Sequence, residues 1–350
     1  MTGSTVDHHR QWAEREQSDR AEAGGPEREV TVAPEVLVAI AVVFAVVTGA
    51  NDGGALIAPG LRVPGLSVPV SLGMLIVAVV AFPLLVSTAV AGTMLESIVG
   101  AERDGTTALA IGFIAGVVVS AALAWIGLPT TLTLAVIGGI AGAGLGMALD
   151  VGWSAVVRVL LIGMAAPAVG AVLALVGSWA WRSFRNASYL WTVRWTHATA
   201  YAAQCVAYGA NDGQKMLVLF LAASITADGD TGAASLDWWA YPALAAAFAV
   251  GAVIGLPRVA RSVGNGILSS RPTHAVTAEF SAAAAVLGSA AAGAPVSMTQ
   301  SVAGGLVGAA VHESARRVRW RMVRNLAVAW VVTLPASFGA AALAGVIAGR

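Results

Sequence analysis

The tetrapeptide Gly-Ala-Asn-Asp occurs twice, at Gly49 to Asp52 and at Gly209 to Asp212, each time inside a run of apolar residues. An aspartate facing lipid at the bilayer centre costs about 2.5–3.5 kcal/mol, so it is tolerated where it lines a polar cavity or holds an ion. Cations take carboxylate, amide and backbone oxygens. Asn51 with Asp52, and Asn211 with Asp212, offer all three if the flanking glycines let the helix unwind and free its carbonyls. A single buried aspartate could serve packing alone; two related copies point to a repeat with a site between its halves.

The second copy runs on through Gly213 and Gln214 to Lys215, the sole lysine among 20 basic residues. Beside an aspartate within an apolar span it reads as a charge partner of Asp212 or as an anion ligand. The plainer alternative is snorkelling to the interface. Thr130, Thr131 and Thr133 follow Pro129, and Ser297, Thr299 and Gln300 follow Pro295. Both groups open helices after a proline turn, where unpaired N–H groups, the positive dipole end and added hydroxyls suit an oxyanion. Capping and close packing use the same residue types. His274, Glu279, Arg158 and Glu96 read as interfacial or packing residues. There is no nucleophilic triad, Walker loop or His-Glu metal spacing, so no catalytic residue and no enzyme is expected.

The elements that must position these residues are membrane helices. Of 350 residues, 57% are hydrophobic and 11% charged, with mean hydropathy +0.78, too few polar groups to coat a soluble globule. The net charge of +1 offers no bulk basic surface for nucleic acid. Cys205 is the only cysteine, which excludes an internal disulfide. Apolar windows predict spans near 36–56, 68–91, 107–126, 131–149 and 155–179, then near 199–223, 239–256, 273–292, 295–311 and 325–348. The expected organisation is a disordered polar tail over 1–34, a first transmembrane repeat over 35–180, an interfacial connector over 181–198 and a second repeat over 199–350.

Further landmarks recur between the halves. Gly127-Leu-Pro-Thr-Thr-Leu-Thr133 returns as Gly293-Ala-Pro-Val-Ser-Met-Thr299, and Ser97-Ile-Val-Gly100 resembles Arg261-Ser-Val-Gly264. Five spans per half, an odd number, make the second repeat enter from the opposite side, so the fold class is an all-α polytopic membrane protein with inverted repeats and broken or re-entrant helices. Arginine placement tests this independently. Arg182, Arg185 and Arg194, then Arg258, Arg261 and Arg271, then Arg316, Arg317, Arg319, Arg321 and Arg324 all follow odd-numbered spans, on the face that positive-inside bias makes cytoplasmic. Both termini are then expected outside. The fourth span of each half, rich in glycine and opening with proline, is open to a re-entrant reading.

Together these residues resemble the PiT family of inorganic phosphate transporters, whose pattern is a Gly-Ala-Asn-Asp-like motif in each half followed by a Pro-Val-Ser-Thr-Thr-His-like element. Gly49 to Asp52, Gly209 to Asp212 and Pro295-Val-Ser-Met-Thr-Gln300 carry the match, over residues 35–348. The chain departs from the pattern at Ala55 and Lys215, at Leu132 and Met298, and at the histidine position, which is Leu134 in the first half and Gln300 in the second. The resemblance implies import of inorganic phosphate by alternating access, with no cofactor. Asn51, Asp52, Asn211 and Asp212 would hold the coupling proton or sodium, with sodium at Asp52 and Asp212 as the metal option. Thr131, Thr133, Ser297 and Thr299 would hold phosphate oxygens; Gln300 and Lys215, read from their own positions, join them as candidate substrate contacts. It also implies a cell membrane location among lipid, a metal-phosphate complex as an alternative substrate form, and a homodimer as an option. Sulfate permease is the nearest rival; an intramembrane aspartyl protease and a non-transporting sensor belong to other classes.

Overall fold

A computed structural model describes residues 32–86, 88–100, 102–125, 131–184, 188–228, 236–263 and 271–350. Expectations resting on residues 1–31, Pro129, Thr130, Arg185, Asp230 and Gly264 lie outside the described residues. Regular structure among the described residues is helical: α1 Pro34–Thr48, α2 Val68–Leu85, α3 Arg103–Trp125, α4 Leu132–Gly146, α5 Trp153–Gly177, α6 Tyr189–Tyr208, α7 Gln214–Asp228, α8 Ala240–Val263, α9 Pro272–Ala291, α10 Met298–Glu313 and α11 Trp320–Ala348. Prolines placed early set the starts of α1, α2 and α9, where a missing N–H costs nothing and the fixed φ suits a helix.

Five helical stretches among the described residues are long and apolar enough to cross a bilayer: Pro34–Leu61, Asp104–Trp125, Trp153–Trp181, Ala240–Pro257 and Val323–Ala348. α4 and α10, with 15 and 16 residues, rise only about 22–24 Å, short of a hydrocarbon core about 30 Å thick. The chain is an all-helical membrane protein.

Several expected boundaries move. The span expected over 68–91 ends at Leu85, just past the internal Pro83, and a short turn over Ala89–Gly92 follows. The span expected from 199 already begins at Tyr189, so the last part of the expected connector is helical.

The unwinding expected at the two Asn-Asp sites does not occur. Gly49–Gly53 and Gly209–Gly213 are π-helical turns, and the helix continues into Gly54–Ile57 in one case and into α7 in the other. A π-bulge inserts a residue without ending the helix and is found mostly at functional sites. The glycines serve close approach instead. A Cβ on Gly49 would meet the Phe248 carbonyl of α8, and one on Gly209 the Ala78 carbonyl of α2.

This packing is reciprocal between the halves. α4 lies against α3 and α11, while α10 lies against α9 and α5. A Cβ on Gly138 or Gly142 would meet the Leu334 or Phe338 carbonyl of α11, and one on Gly304 or Gly308 the Pro167 or Ala171 carbonyl of α5. The four glycines are related pairwise by an offset of 166 and their partners by 167. Each half's short helix is therefore packed against the other half's last helix, through glycines that let backbones touch.

Candidate functional site

The two π-turns, the first turn of α4 and the loop that opens α10 bring the candidate residues together. Lys215, two residues past the second π-turn, places its Nζ 2.6 Å from Asp212 Oδ1 and donates to Thr133 Oγ1 at 2.9 Å and to the Val296 carbonyl. Lys215 is buried, which removes the snorkelling alternative. A charged pair this far from water is held only because carboxylate, hydroxyl and carbonyl together satisfy the ammonium.

Asp52 is buried too, and takes neutral donors: Asn51 Nδ2 at 2.8 Å to Oδ1, and the Tyr208 hydroxyl at 3.3 Å to Oδ2. Thr48, Asp52, Thr133, Asp212, Lys215 and Ser297 line one cavity of about 10 Å³, closed on its apolar side by Phe44, Leu132 and Val136. That volume is about the minimum for a single water. Asp212 Oδ2 and Thr48 Oγ1 are buried without a hydrogen-bond partner and belong to residues of its wall. Two carboxylates and one ammonium give the wall a net negative charge when all are ionised.

Ser297 caps α10, accepting from the Gln300 amide at 3.4 Å, and its hydroxyl lies 2.9 Å from Thr299 Oγ1. Of the expected residues, Asp52, Asp212, Thr133, Ser297 and Lys215 meet at the cavity. The others stand apart from its lining. Asn51 is exposed. Asn211 directs both ends of its amide to the loop before α10, donating to the Ala294 carbonyl at 3.2 Å and accepting from Val296 N at 3.3 Å. Thr131 and Gln300 are buried, with Thr131 Oγ1 and Gln300 Nε2 lacking partners.

Other polar residues sit elsewhere. Glu279 is fully buried, 3.4 Å from His197, and His274 lies 3.0 Å from Glu313 on α10. Arg158 donates to the Ala292 carbonyl. Among the described residues no group of three or more His, Cys, Asp or Glu side chains could hold a metal. Any cation held here would rest on one or two carboxylates supplemented by hydroxyl and carbonyl oxygens, a set suited to hard cations.

Sequence reasoning missed Tyr208, Thr48 and Gln214. Gln214 Oε1 accepts from the amides of Val90 and Ala91 at 2.9 and 3.1 Å, satisfying the start of the short turn after α2. Tyr208 precedes the second motif directly, but its partner lies 156 residues away in the other half, so no local pattern marks it.

A model of the phosphate transporter family matches residues 182–341. A probable low-affinity inorganic phosphate transporter of Mycobacterium tuberculosis (strain ATCC 25618 / H37Rv) is 31% identical over 310 residues, covering 86% of this chain and 74% of that protein. One of Bacillus subtilis (strain 168) is 26% identical over 265 residues, covering 73% and 80%. A solved structure described as the sodium-dependent phosphate transporter matches with TM-score 0.76 at 17% identity, over 90% of this chain and 98% of that one, a likeness of fold.

Proposed function

The chain belongs to the phosphate transporter family, and from that membership we propose that it imports inorganic phosphate with a coupling cation, proton or sodium, by alternating access. One observation carries this reading: Asp52 and Thr48 from the first motif helix, Asp212 and Lys215 from the second, and Thr133 and Ser297 from the two loop-helix junctions share one buried cavity.

Chemistry assigns the roles. Asp52 and Asp212 supply the negative charge of the cation side, Thr133 and Ser297 present hydroxyls to the oxyanion, and Lys215 stands between them as a charge paired with Asp212. Coupling follows from energetics. An inside-negative potential opposes anion entry by about 2.3 kcal/mol per charge per 100 mV, so the substrate must travel with enough positive charge to offset its own.

A cavity of about 10 Å³ is far too small for a tetrahedral oxyanion. Entry requires the α4 and α10 seams to part, and the reciprocal glycine contacts supply two related surfaces along which one half can rock against the other. In this reading the halves are inverted, α4 and α10 re-enter without crossing, the protein sits in the plasma membrane and both termini face outside.

Uptake of labelled phosphate and of labelled sulfate into proteoliposomes, with sodium and pH gradients imposed separately, tests the proposal. Phosphate accumulation driven by one gradient is expected. Sulfate accumulation without phosphate accumulation would move the substrate to the rival oxyanion, and no uptake of either would favour a non-transporting role.

A further inference from the structure

We infer that Lys215 is a built-in cation, occupying the second of two quasi-equivalent cation positions, so that only the Asp52 position takes a mobile coupling cation. The inference rests on the transport reading above and deepens it.

The two motifs are related by an offset of 160, which pairs Asp52 with Asp212 and Ala55 with Lys215. An alanine cannot neutralise its aspartate; the lysine does, at 2.6 Å. The Lys215 ammonium lies among Asp212 Oδ1, Thr133 Oγ1 and the Val296 carbonyl oxygen. Carboxylate, hydroxyl and loop carbonyl form an oxygen set of the kind a hard monovalent or divalent cation takes. All three atoms are gathered from separate segments onto one point, and the point is filled by a side chain that cannot leave.

The first-half position is built differently. Asp52 receives the Asn51 amide and the Tyr208 hydroxyl, both neutral, so neither donor neutralises it when it is ionised. A fixed ammonium on one side and an unneutralised carboxylate on the other make the halves chemically unequal although their backbones pack reciprocally. The fixed ammonium is not carried across and does no work against the potential; by filling the Asp212 position it leaves one fewer mobile cation bound per phosphate than in a carrier whose two aspartates are both free.

The test compares the parent with Lys215→Met, which keeps the stem and removes the charge. Purified protein is heated with sodium, and with choline as control, and phosphate uptake is measured against cation concentration in proteoliposomes. Lys215→Met should gain a sodium-dependent rise in melting temperature beyond any the parent shows, and a second substitution, Asp212→Asn, should remove the gain. Where the variant transports, its cation dependence should steepen from first order towards second order. Equal sodium stabilisation in parent and Lys215→Met would overturn the inference, as would a gain that survives Asp212→Asn. Lys215→Gln carries the same expectations should the methionine variant fail to fold. The melting measurement needs no phosphate, so a parent that transports nothing would sink the transport reading without touching this one.

Discussion

Tyr208, the last residue of α6, donates its hydroxyl to Asp52 Oδ2 at 3.3 Å, joining the helix that leads into the second motif to the carboxylate of the first. The bond stabilises Asp52 as a bare carboxylate. Tyr208→Phe removes it, and a hydrogen bond to a charged group is worth about 1.5–3 kcal/mol. The cation-bound form gains relative to the empty one, so the half-saturating cation concentration should fall by roughly 10-fold to 150-fold if the whole bond is lost on cation binding. Flux measured at varied cation concentration gives the answer, and a higher half-saturating concentration would contradict it.

Asp52→Asn and Asp212→Asn should each abolish phosphate accumulation while the protein still reaches the membrane. The amide keeps the shape and removes a charge: at Asp52 the one that binds the mobile cation, at Asp212 the one that holds the Lys215 ammonium in place. Uptake near the parent level in either variant would remove that aspartate from the coupling site.

Ser297→Ala and Thr133→Val each delete a hydroxyl from the cavity wall. Loss of a hydrogen bond to a charged ligand should raise the half-saturating phosphate concentration by about 10-fold to 150-fold. Thr133→Val also frees a donor of the Lys215 ammonium that can turn to the anion, so its effect should be the smaller of the two. Unchanged phosphate affinity in both variants would place the substrate elsewhere.

Gln214→Ala leaves the buried amides of Val90 and Ala91 without their acceptor. Unsatisfied buried donors cost about 1–3 kcal/mol each, so the variant should melt lower. Gln214→Glu keeps the acceptor but sets a carboxylate oxygen against the Ala210 carbonyl that Gln214 Nε2 donates to, so it too should melt below the parent.

The glycine seams make a contrast within one residue type. Gly142→Ala and Gly308→Ala place a methyl against the Phe338 and Ala171 carbonyls, where backbone must shift. Overpacking of this kind costs about 1–3 kcal/mol. Gly288→Ala meets open space and lies within α9, so it should leave stability unchanged or improve it. Melting curves of the three variants side by side decide the matter.

Much of this was legible in the residues themselves. Charge scarcity and long apolar windows fix the membrane class, because a bilayer demands satisfied backbone and apolar surface whatever the fold. The doubled Gly-Ala-Asn-Asp marks both cavity carboxylates, since an aspartate in an apolar span is too costly to be incidental. A lone lysine three residues past Asp212 marks the ion pair, because positions three apart on a helix share a face.

Contacts between distant segments were not legible, because each depends on how two helices cross. The glycines read as unwinding points, yet only the approach of α8 and α2 reveals that they admit a neighbouring backbone. Asn211 and Asn51 sit in identical tetrapeptides, and tertiary structure alone buries one against the Ala294–Val296 loop and leaves the other exposed. The spacing of Thr131 and Thr133 treats both as anion ligands, but the first turn of α4 brings Thr133 to Lys215 and leaves Thr131 apart from the cavity lining. Sequence determined which side chains bear charge and which helix faces they share, since both follow from residue type and the helical repeat. Only the tertiary structure decided which of them meet, since that depends on backbone approach distances set by residues far along the chain.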